Sequence, residues 1–302
     1  MKKTTRYVFI KQPARILILS CFAAMALCLP TSCSKNGVCE YTTPEPAPQG
    51  CNAGMDVAFL LDYTGSMGPA IDSVKKEVNN IANTIVTESG GDYRLSLSLF
   101  DEYTKEGGGF PLPMYVNAPD YVTLPANQKK IITTGPTTNQ YLTMMEKFAP
   151  ANKTTFSTQL AKLNNPLAMK LGAGIGGPEP GDLLLHEILS NQFAGTWRSG
   201  NITKLAVIIT DAPASGDDDN ATAADDTYLD ALAATANSMG VQCILLTTFK
   251  GNPTYPANYK LHLIVGNIGG KAYEFDNFNN ISKELIAIIE NICSQTGGKS
   301  GR

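Results

Sequence analysis

Apolar residues recur along the chain in two alternating patterns, which predict strands followed by helices. An unbroken apolar run from Val57 to Leu61 is typical of a parallel strand buried on both faces. Apolar residues then recur every three or four positions from Ile71 to Ile85, which predicts an amphipathic helix. Leu95, Leu97 and Leu99 alternate with polar residues and predict a second strand.

The same alternation returns in the second half of the chain. Strands are predicted at 205–210, 241–248 and 272–275, and helices around Leu184, at 229–239 and at 281–292. Strands that alternate with helices indicate an α/β domain with a doubly wound, mostly parallel central sheet and helices on both faces. The glycine- and proline-rich stretch 103–173 is predicted to be irregular and rich in insertions. It contains only a short edge strand at 121–124 and a helix around Phe156.

The first 32 residues predict an export signal. Five basic residues and no acidic one accompany the apolar run 16–29, which is too short to span a hydrocarbon core of about 30 Å. Residues 29–33 resemble a bacterial lipobox, which implies a lipidated Cys33; cleavage nearby with an unmodified Cys33 is the alternative. We therefore expect an envelope lipoprotein at the outer membrane or cell surface, or facing the periplasm. A proline-rich tether at 33–52, a domain at 53–295 and a flexible tail at 296–302 would follow.

The net charge of the chain narrows the class of partner. Removal of the signal takes five of 24 basic residues and none of the 27 acidic ones, which leaves a net charge of −8 and argues against nucleic acid.

In an exported protein, Cys51 and Cys293 flank the domain and are a possible disulfide, with Cys39 and Cys51 as the alternative pair. Cys243 lies in an apolar strand pattern and is expected to be free and buried.

Two aspartates end predicted strands. Asp62 and Asp211 follow apolar runs, and ligands of doubly wound sheets bind beyond the carboxyl ends of the strands. The segment Asp62-Tyr63-Thr64-Gly65-Ser66-Met67 resembles the Asp-x-Ser/Thr-x-Ser motif of the metal-ion-dependent adhesion site (MIDAS) in von Willebrand factor type A (vWA) domains. The resemblance covers roughly residues 55–292 in pieces and is vague between 103 and 173.

This resemblance implies a set of metal ligands. Asp62, Thr64, Ser66 and Asp211 would hold the ion, and Gly176-Gly177-Pro178-Glu179 is similar to a segment of integrin-β-like members that adds a carboxylate, here Glu179. Mg²⁺ prefers oxygen ligands, and Mn²⁺ or Ca²⁺ is compatible with the same atoms. The cation would then bind a carboxylate on a protein or glycan partner.

Three other interpretations of the sequence remain open at this point. The segment after Asp62 is also typical of a helix N-cap. A second interpretation is a metal-independent structural or assembly subunit of an envelope complex. No feature of the sequence distinguishes such a subunit from an adhesive protein. A haloacid dehalogenase-like phosphatase would need a second aspartate where Thr64 stands, so no general acid lies at that position. We therefore expect a binding protein without catalytic residues.

Overall fold

The computed structural model describes residues 51, 54–104, 115–133, 138–164, 169, 178–214, 223–248 and 271–297. All of them belong to one compact unit, Pro48–Arg302. The predicted export signal, Cys33 and Cys39 lie outside the described residues, as do residues 298–302 of the predicted tail. No helix among the described residues is long and apolar enough to cross a membrane.

Seven strands form one central sheet in the described part of the chain. Their order across the sheet is β3-β4-β2-β1-β5-β6-β7. Five neighbouring strands run parallel to one another, namely β2, β1, β5, β6 and β7. By contrast, β4 is antiparallel to both β2 and β3. The predicted class, an α/β fold with a mostly parallel sheet, is therefore confirmed. The strands are β1 (Met55–Asp62), β2 (Tyr93–Thr104), β3 (Lys129–Thr133), β4 (Thr138–Pro150), β5 (Thr203–Thr210), β6 (Val241–Thr247) and β7 (Lys271–Glu274).

Helices cover both faces of the sheet because its central strands are apolar on both. Val57, Phe59 and Leu61 of β1 belong to one buried cluster, and Ala58 and Leu60 belong to another. The first cluster packs under α1, α3 and α6, and the second packs under α4 and α5. The helices are α1 (Ile71–Glu88), α2 (Pro119–Val122), α3 (Lys153–Lys162), α4 (Gly181–Ser190), α5 (Ala223–Met239) and α6 (Ile281–Gly297).

In its described residues, the stretch 103–173, which the sequence predicts to be irregular, contains the strands β3 and β4 and the helices α2 and α3. The edge strand predicted at 121–124 is wrong, because this part of the chain forms the short helix α2, with Pro119 at its first turn, where proline is tolerated. The edge strand is β3 instead. The 13-residue β4 is obscured in the sequence because buried polar residues, Gln140 and Thr143, interrupt its apolar pattern.

The amino-terminal edge of the central strands is held by covalent and ionic links. A disulfide joins Cys51 to Cys293 with a Cα–Cα distance of 4.7 Å, so the start of the domain is tied to α6. Beside it, the buried Asp56 accepts hydrogen bonds from Arg94 Nε and Arg198 Nε at 2.9 and 2.8 Å. The remaining cysteine of the described residues, Cys243, is buried and forms no disulfide, and burial raises the pKa of its thiol to about 12.

Candidate metal centre

The candidate site lies where the chain leaves two neighbouring strands toward opposite faces of the sheet. β1 and β5 pair in parallel, Asp62 is the last residue of β1 and Asp211 follows β5. The helix after β1 contributes Val74 to one core, whereas the helix after β5 contributes Leu229 to the other. Such a divergence leaves a crevice at the carboxyl ends of the strands, which is the usual ligand site of doubly wound sheets.

Five side chains form one connected network across this crevice. Asp62 Oδ1 accepts hydrogen bonds from the backbone N and the Oγ1 of Thr64 at 2.9 and 2.6 Å, and its Oδ2 accepts one from Thr210 Oγ1 at 2.6 Å. Thr64 Oγ1 lies 3.0 Å from Ser66 Oγ. Ser66 Oγ donates to Asp211 Oδ1 at 2.9 Å. Four predicted metal ligands are thus brought together, although Asp211 lies 145 residues from Ser66 in the sequence.

Local backbone structure explains why these residues face the crevice rather than cap a helix. Gly65–Met67 forms a single 3-10 turn, and Thr64, at its amino-terminal end, makes no side-chain capping hydrogen bond. The cap position of α1 is Ala70, which has no side chain that can cap. The helix-cap interpretation of this segment is therefore wrong: the carboxylate of Asp62 serves the loop and the neighbouring strand instead of the free amides of α1.

The site is buried at its base and open at its rim. Asp62 and Thr64 are 0% and 1% exposed, whereas Ser66 is exposed and Asp211 is intermediate. Oxygen atoms at the rim therefore lie within reach of solvent and of a partner molecule, while those at the base are fixed by the sheet.

Negative charge accumulates at this edge, and no basic side chain is among the described groups that shift the pKa of Asp62 and Asp211. Burial and the neighbouring Asp211 raise the pKa of Asp62 to about 6, although hydrogen bonds from Thr210 and Thr64 oppose the shift. The pKa of Asp211 is also raised, by burial, against the hydrogen bond from Ser66. Both carboxylates accept hydrogen bonds from hydroxyl groups, and a bound cation would relieve their repulsion.

Glu179 lies on the segment that runs beside the residues following Asp211. Its backbone N donates to Pro213 O at 2.8 Å, and it forms an isolated β-bridge with Ala214. The side chain is 4% exposed, and Oε2 has no hydrogen-bond partner among the described residues. Burial raises the pKa of Glu179 well above its ordinary value, and neighbouring carboxylates, foremost Asp62, raise it further.

Sequence reasoning does not single out several polar residues near the site. Asp101 and Glu102 are fully buried on β2, and their charges contribute to the raised pKa of Glu179. Thr210, which the sequence does not predict as a site residue, donates a hydrogen bond to Asp62. A usable signal existed for Asp101, since it directly follows the alternating pattern of β2, as Asp62 follows the apolar run of β1.

The donor chemistry fits a hard divalent cation. No group of three Asp, Glu, His or Cys side chains among the described residues is arranged to hold a metal by itself, so hydroxyls must supply part of any coordination shell. Hydroxyl and carboxylate oxygens are suitable ligands for Mg²⁺, Mn²⁺ and Ca²⁺. The surplus negative charge and the unpartnered Oε2 of Glu179 both favour an added positive charge.

Comparisons with known proteins give similarity at the level of the fold. No protein-family model matches the chain, and no curated protein does. Solved structures similar to it include a von Willebrand factor type A protein from Catenulispora acidiphila, at 8% identity, TM-score 0.49, and coverage of 82% of this chain and 43% of that one.

Two further solved structures are similar to this chain. The pilus adhesin SpaC from Lactobacillus rhamnosus GG, in its open conformation, is 12% identical with TM-score 0.49, and 80% of this chain and 30% of that chain are covered. Proximal thread matrix protein 1 from the mussel byssus, with a zinc-occupied MIDAS motif, is 10% identical with TM-score 0.46, and 82% and 47% are covered. The chain thus spans less than half of each of these proteins. In its fold it is similar to vWA domain proteins, as its motifs predict.

Proposed function

We propose that this chain is a binding protein that holds a divalent cation at the carboxyl edge of its sheet and uses it to bind an acidic group of a protein or glycan. The observation that carries the proposal is the network in which Thr64 and Ser66 link the buried Asp62 to Asp211. The carboxylates of Asp62 and Asp211 lie close together, and the pKa of each is raised. A bound cation would favour the ionised form of both and so lower their pKa values.

Each residue has a distinct part in this proposal. Thr64 and Ser66 would supply neutral oxygen ligands, and Asp62 and Asp211 would bind the ion or its waters. Glu179 would add a further carboxylate. Because this set is small and Ser66 is exposed, the rim leaves room for an external ligand. When bound, the cation, for which we propose Mg²⁺ with Mn²⁺ or Ca²⁺ as alternatives, supplies the positive charge that attracts the partner's carboxylate.

The proposal extends to location and chemistry. The basic and apolar signal pattern and the lipobox-like segment support export and a lipid anchor at Cys33 in a bacterial envelope. We also propose that the protein is not an enzyme. Thr64 stands where a haloacid dehalogenase-like phosphatase needs its second aspartate, and its hydroxyl is engaged with Asp62 at 2.6 Å.

Thermal unfolding with and without cation tests the site. The purified protein would be melted in chelator and then in Mg²⁺, Mn²⁺ or Ca²⁺, together with Ser66→Ala and the control Asp72→Asn, which removes an acid from an 80% exposed side chain. At a cation concentration one hundred times its dissociation constant, we expect stabilisation by about 2.7 kcal/mol, or roughly 5–11 °C. Ser66→Ala should lose most of this shift, and Asp72→Asn should keep it.

The absence of any shift at millimolar cation would contradict the proposal and leave a metal-independent envelope subunit as the better interpretation. If the shift occurs, partner capture should be lost in chelator. Hydrolysis of a generic phosphoester in Mg²⁺ that disappears in Asp62→Asn would instead favour the phosphatase.

A further inference from the structure

The strand β3 is an outer edge of the sheet in the described part of the chain. It pairs with β4 along one side only, so its other side presents main-chain N–H and C=O groups to which a further strand can bond. The large apolar side chains that are mostly exposed among the described residues both belong to this region. They are Ile131, at the centre of β3, and Val122 of the short helix α2, which are 55% and 58% exposed. An exposed apolar side chain on an unpaired edge favours pairing with another strand.

The two lysines of this edge are turned back onto their own domain. Lysine on an edge strand usually deters further pairing, because its charge would have to be buried. Here Lys129 Nζ donates to the carbonyl oxygens of Tyr121 and Val122, each at 3.2 Å, and lies 5.2 Å from the centroid of the Tyr121 ring. On the other face of the strand, Lys130 Nζ pairs with Glu187 Oε2 of α4 at 2.5 Å. Both charges are thus engaged within the chain, and neither protects the open side of β3.

We propose that the open edge of β3 pairs antiparallel with the same edge of a second copy of this chain, about a two-fold axis at Ile131. In such a contact each copy gives and receives the same main-chain hydrogen bonds, and the two sheets join into one. The proposal goes beyond the cation-dependent function and does not rest on it, because β3 lies three strands away from β1 in the sheet.

The register about Ile131 matches each position of β3 with a compatible one. Ile131 lies opposite Ile131 of the second copy, and β-branched side chains pack well across neighbouring strands. Lys130 then lies opposite Ile132, and Lys129 lies opposite Thr133, so no lysine faces a lysine. The two copies of Lys129 are offset by four positions, about 13 Å along the strands, which exceeds the Debye length of about 10 Å at 0.1 M salt.

Charge favours a second copy over a charged segment of another protein as the occupant. An acidic segment would meet lysines that already interact with groups of their own chain, whereas a basic segment would add like charges beside them. The edge of a second copy brings only lysines that are compensated in the same way. A pair of five-residue strands is at the small end of protein interfaces, so we expect weak association.

Sedimentation equilibrium of the purified chain tests the inference. The measurement is made in chelator, so that its outcome does not depend on cation binding. We expect a change from monomer to dimer between about 1 μM and about 1 mM, the range of weak complexes. Ile131→Lys and Ile131→Glu each place like charges opposite one another on the two-fold axis and should weaken self-association at least tenfold. An equimolar mixture of the two variants should dimerise again, because the introduced lysine then faces the introduced glutamate.

Further variants test the position and the register of the contact. The control Asn83→Lys adds the same charge as Ile131→Lys at an exposed position of α1 and should dimerise like the unmodified chain. Ile131→Cys brings two thiols opposite each other and should form an intermolecular disulfide on oxidation. Thr133→Cys places its thiols about 13 Å apart along the strands and should form much less of this product.

Each result has a definite meaning. A monomer over the whole concentration range would overturn the proposal, as would undiminished dimerisation of Ile131→Lys or a mixture that stays monomeric. If a charged variant melts below the unmodified chain, the comparison of Ile131→Cys with Thr133→Cys decides the question without it. In a monomer, hydrogen exchange of the β3 amides identifies the other occupants: protection of the outward amides would assign the edge to a segment of the same chain, and fast exchange would leave it to a strand of another protein.

Discussion

Each end of β1 buries an aspartate side chain, but the electrostatic surroundings of the two aspartates differ. Asp56 and Asp62 are both 0% exposed and lie six residues apart, so they point to the same face of the sheet. Burial alone would raise the pKa of Asp56, but Arg94 and Arg198 together lower it below its ordinary value. At Asp62, burial and Asp211 raise the pKa to about 6.

This difference separates a structural carboxylate from one that is available for a ligand. The desolvation cost of the two aspartates is of the same kind, but among the described residues only Asp56 has positively charged partners, whereas Asp62 accepts neutral hydrogen bonds from Thr64 and Thr210. Among the described residues, the buried charge at the amino-terminal edge is thus balanced, whereas the carboxyl edge carries surplus negative charge. Folding does not require that surplus, which supports the interpretation of the carboxyl edge as a ligand site.

Loss of the disulfide at the amino-terminal edge should have the largest effect on stability. Replacement of both cysteines, Cys51→Ser with Cys293→Ser, opens a crosslink that spans 242 residues and should lower the free energy of unfolding by about 4 kcal/mol. Urea unfolding of this variant and of the unmodified chain, each with and without reductant, measures the difference. Reductant should destabilise only the unmodified chain; equal sensitivity of both proteins would assign the effect to another pair.

Asp56→Asn should have the next largest effect. It leaves Arg94 and Arg198, 15% and 25% exposed, without their buried counter-charge, and we expect a loss of about 3 kcal/mol in the free energy of unfolding. Asp92→Asn is the matched control, because Asp92 also binds Arg198 but is 59% exposed, and it should cost less than about 1 kcal/mol. Similar losses for both variants would show that the buried position carries no special weight.

Asp62→Asn should behave in the opposite way in chelator. It removes the repulsion from Asp211, and Thr210 Oγ1 can then accept from the new amide and donate to Ala212 O, already 3.3 Å away. We expect the free energy of unfolding, measured in urea, to rise on the order of 1 kcal/mol. Added cation should no longer stabilise this variant. A loss as large as that of Asp56→Asn would mean that the two ends of β1 do not differ.

The smallest effect is a difference in acid sensitivity. Because the pKa of Asp56 is lowered in the folded state, its contribution to stability is complete above the unfolded value of about 3.9 and is lost as pH falls through the folded value. The stability difference between the unmodified chain and Asp56→Asn should therefore be constant near neutral pH and shrink below pH 4. Chemical unfolding at a series of pH values measures it, and a gap that widens in acid would contradict the ionic pairing.

Prediction from the sequence succeeds where one physical signal dominates. The apolar run of β1 fixes a strand buried on both faces, and the strand-end aspartates Asp62 and Asp211 follow from the rule for parallel sheets. The position of Ser66 follows from its spacing in the motif. These signals are local, and the sheet order then brings their residues together.

Prediction fails where tertiary packing replaces a local pattern. Gln140 and Thr143 are buried on β4, so the polarity of a residue does not report its exposure there. Thr210 has no individual signal, because its role depends on β1 lying beside β5. The unpartnered Oε2 of Glu179 likewise becomes visible only after the segments around it are placed.

The bond between Cys51 and Cys293 also determines how the domain responds to tension. A pull between the chain segments before Cys51 and after Cys293 is transmitted through the two sulfur atoms and does not load the strands between them. In a single-molecule extension experiment, the enclosed 242-residue span therefore contributes no length while the bond is intact. After reduction, a force that unfolds the domain would release an extension of roughly 800 Å, so the redox state determines whether this span can lengthen under tension.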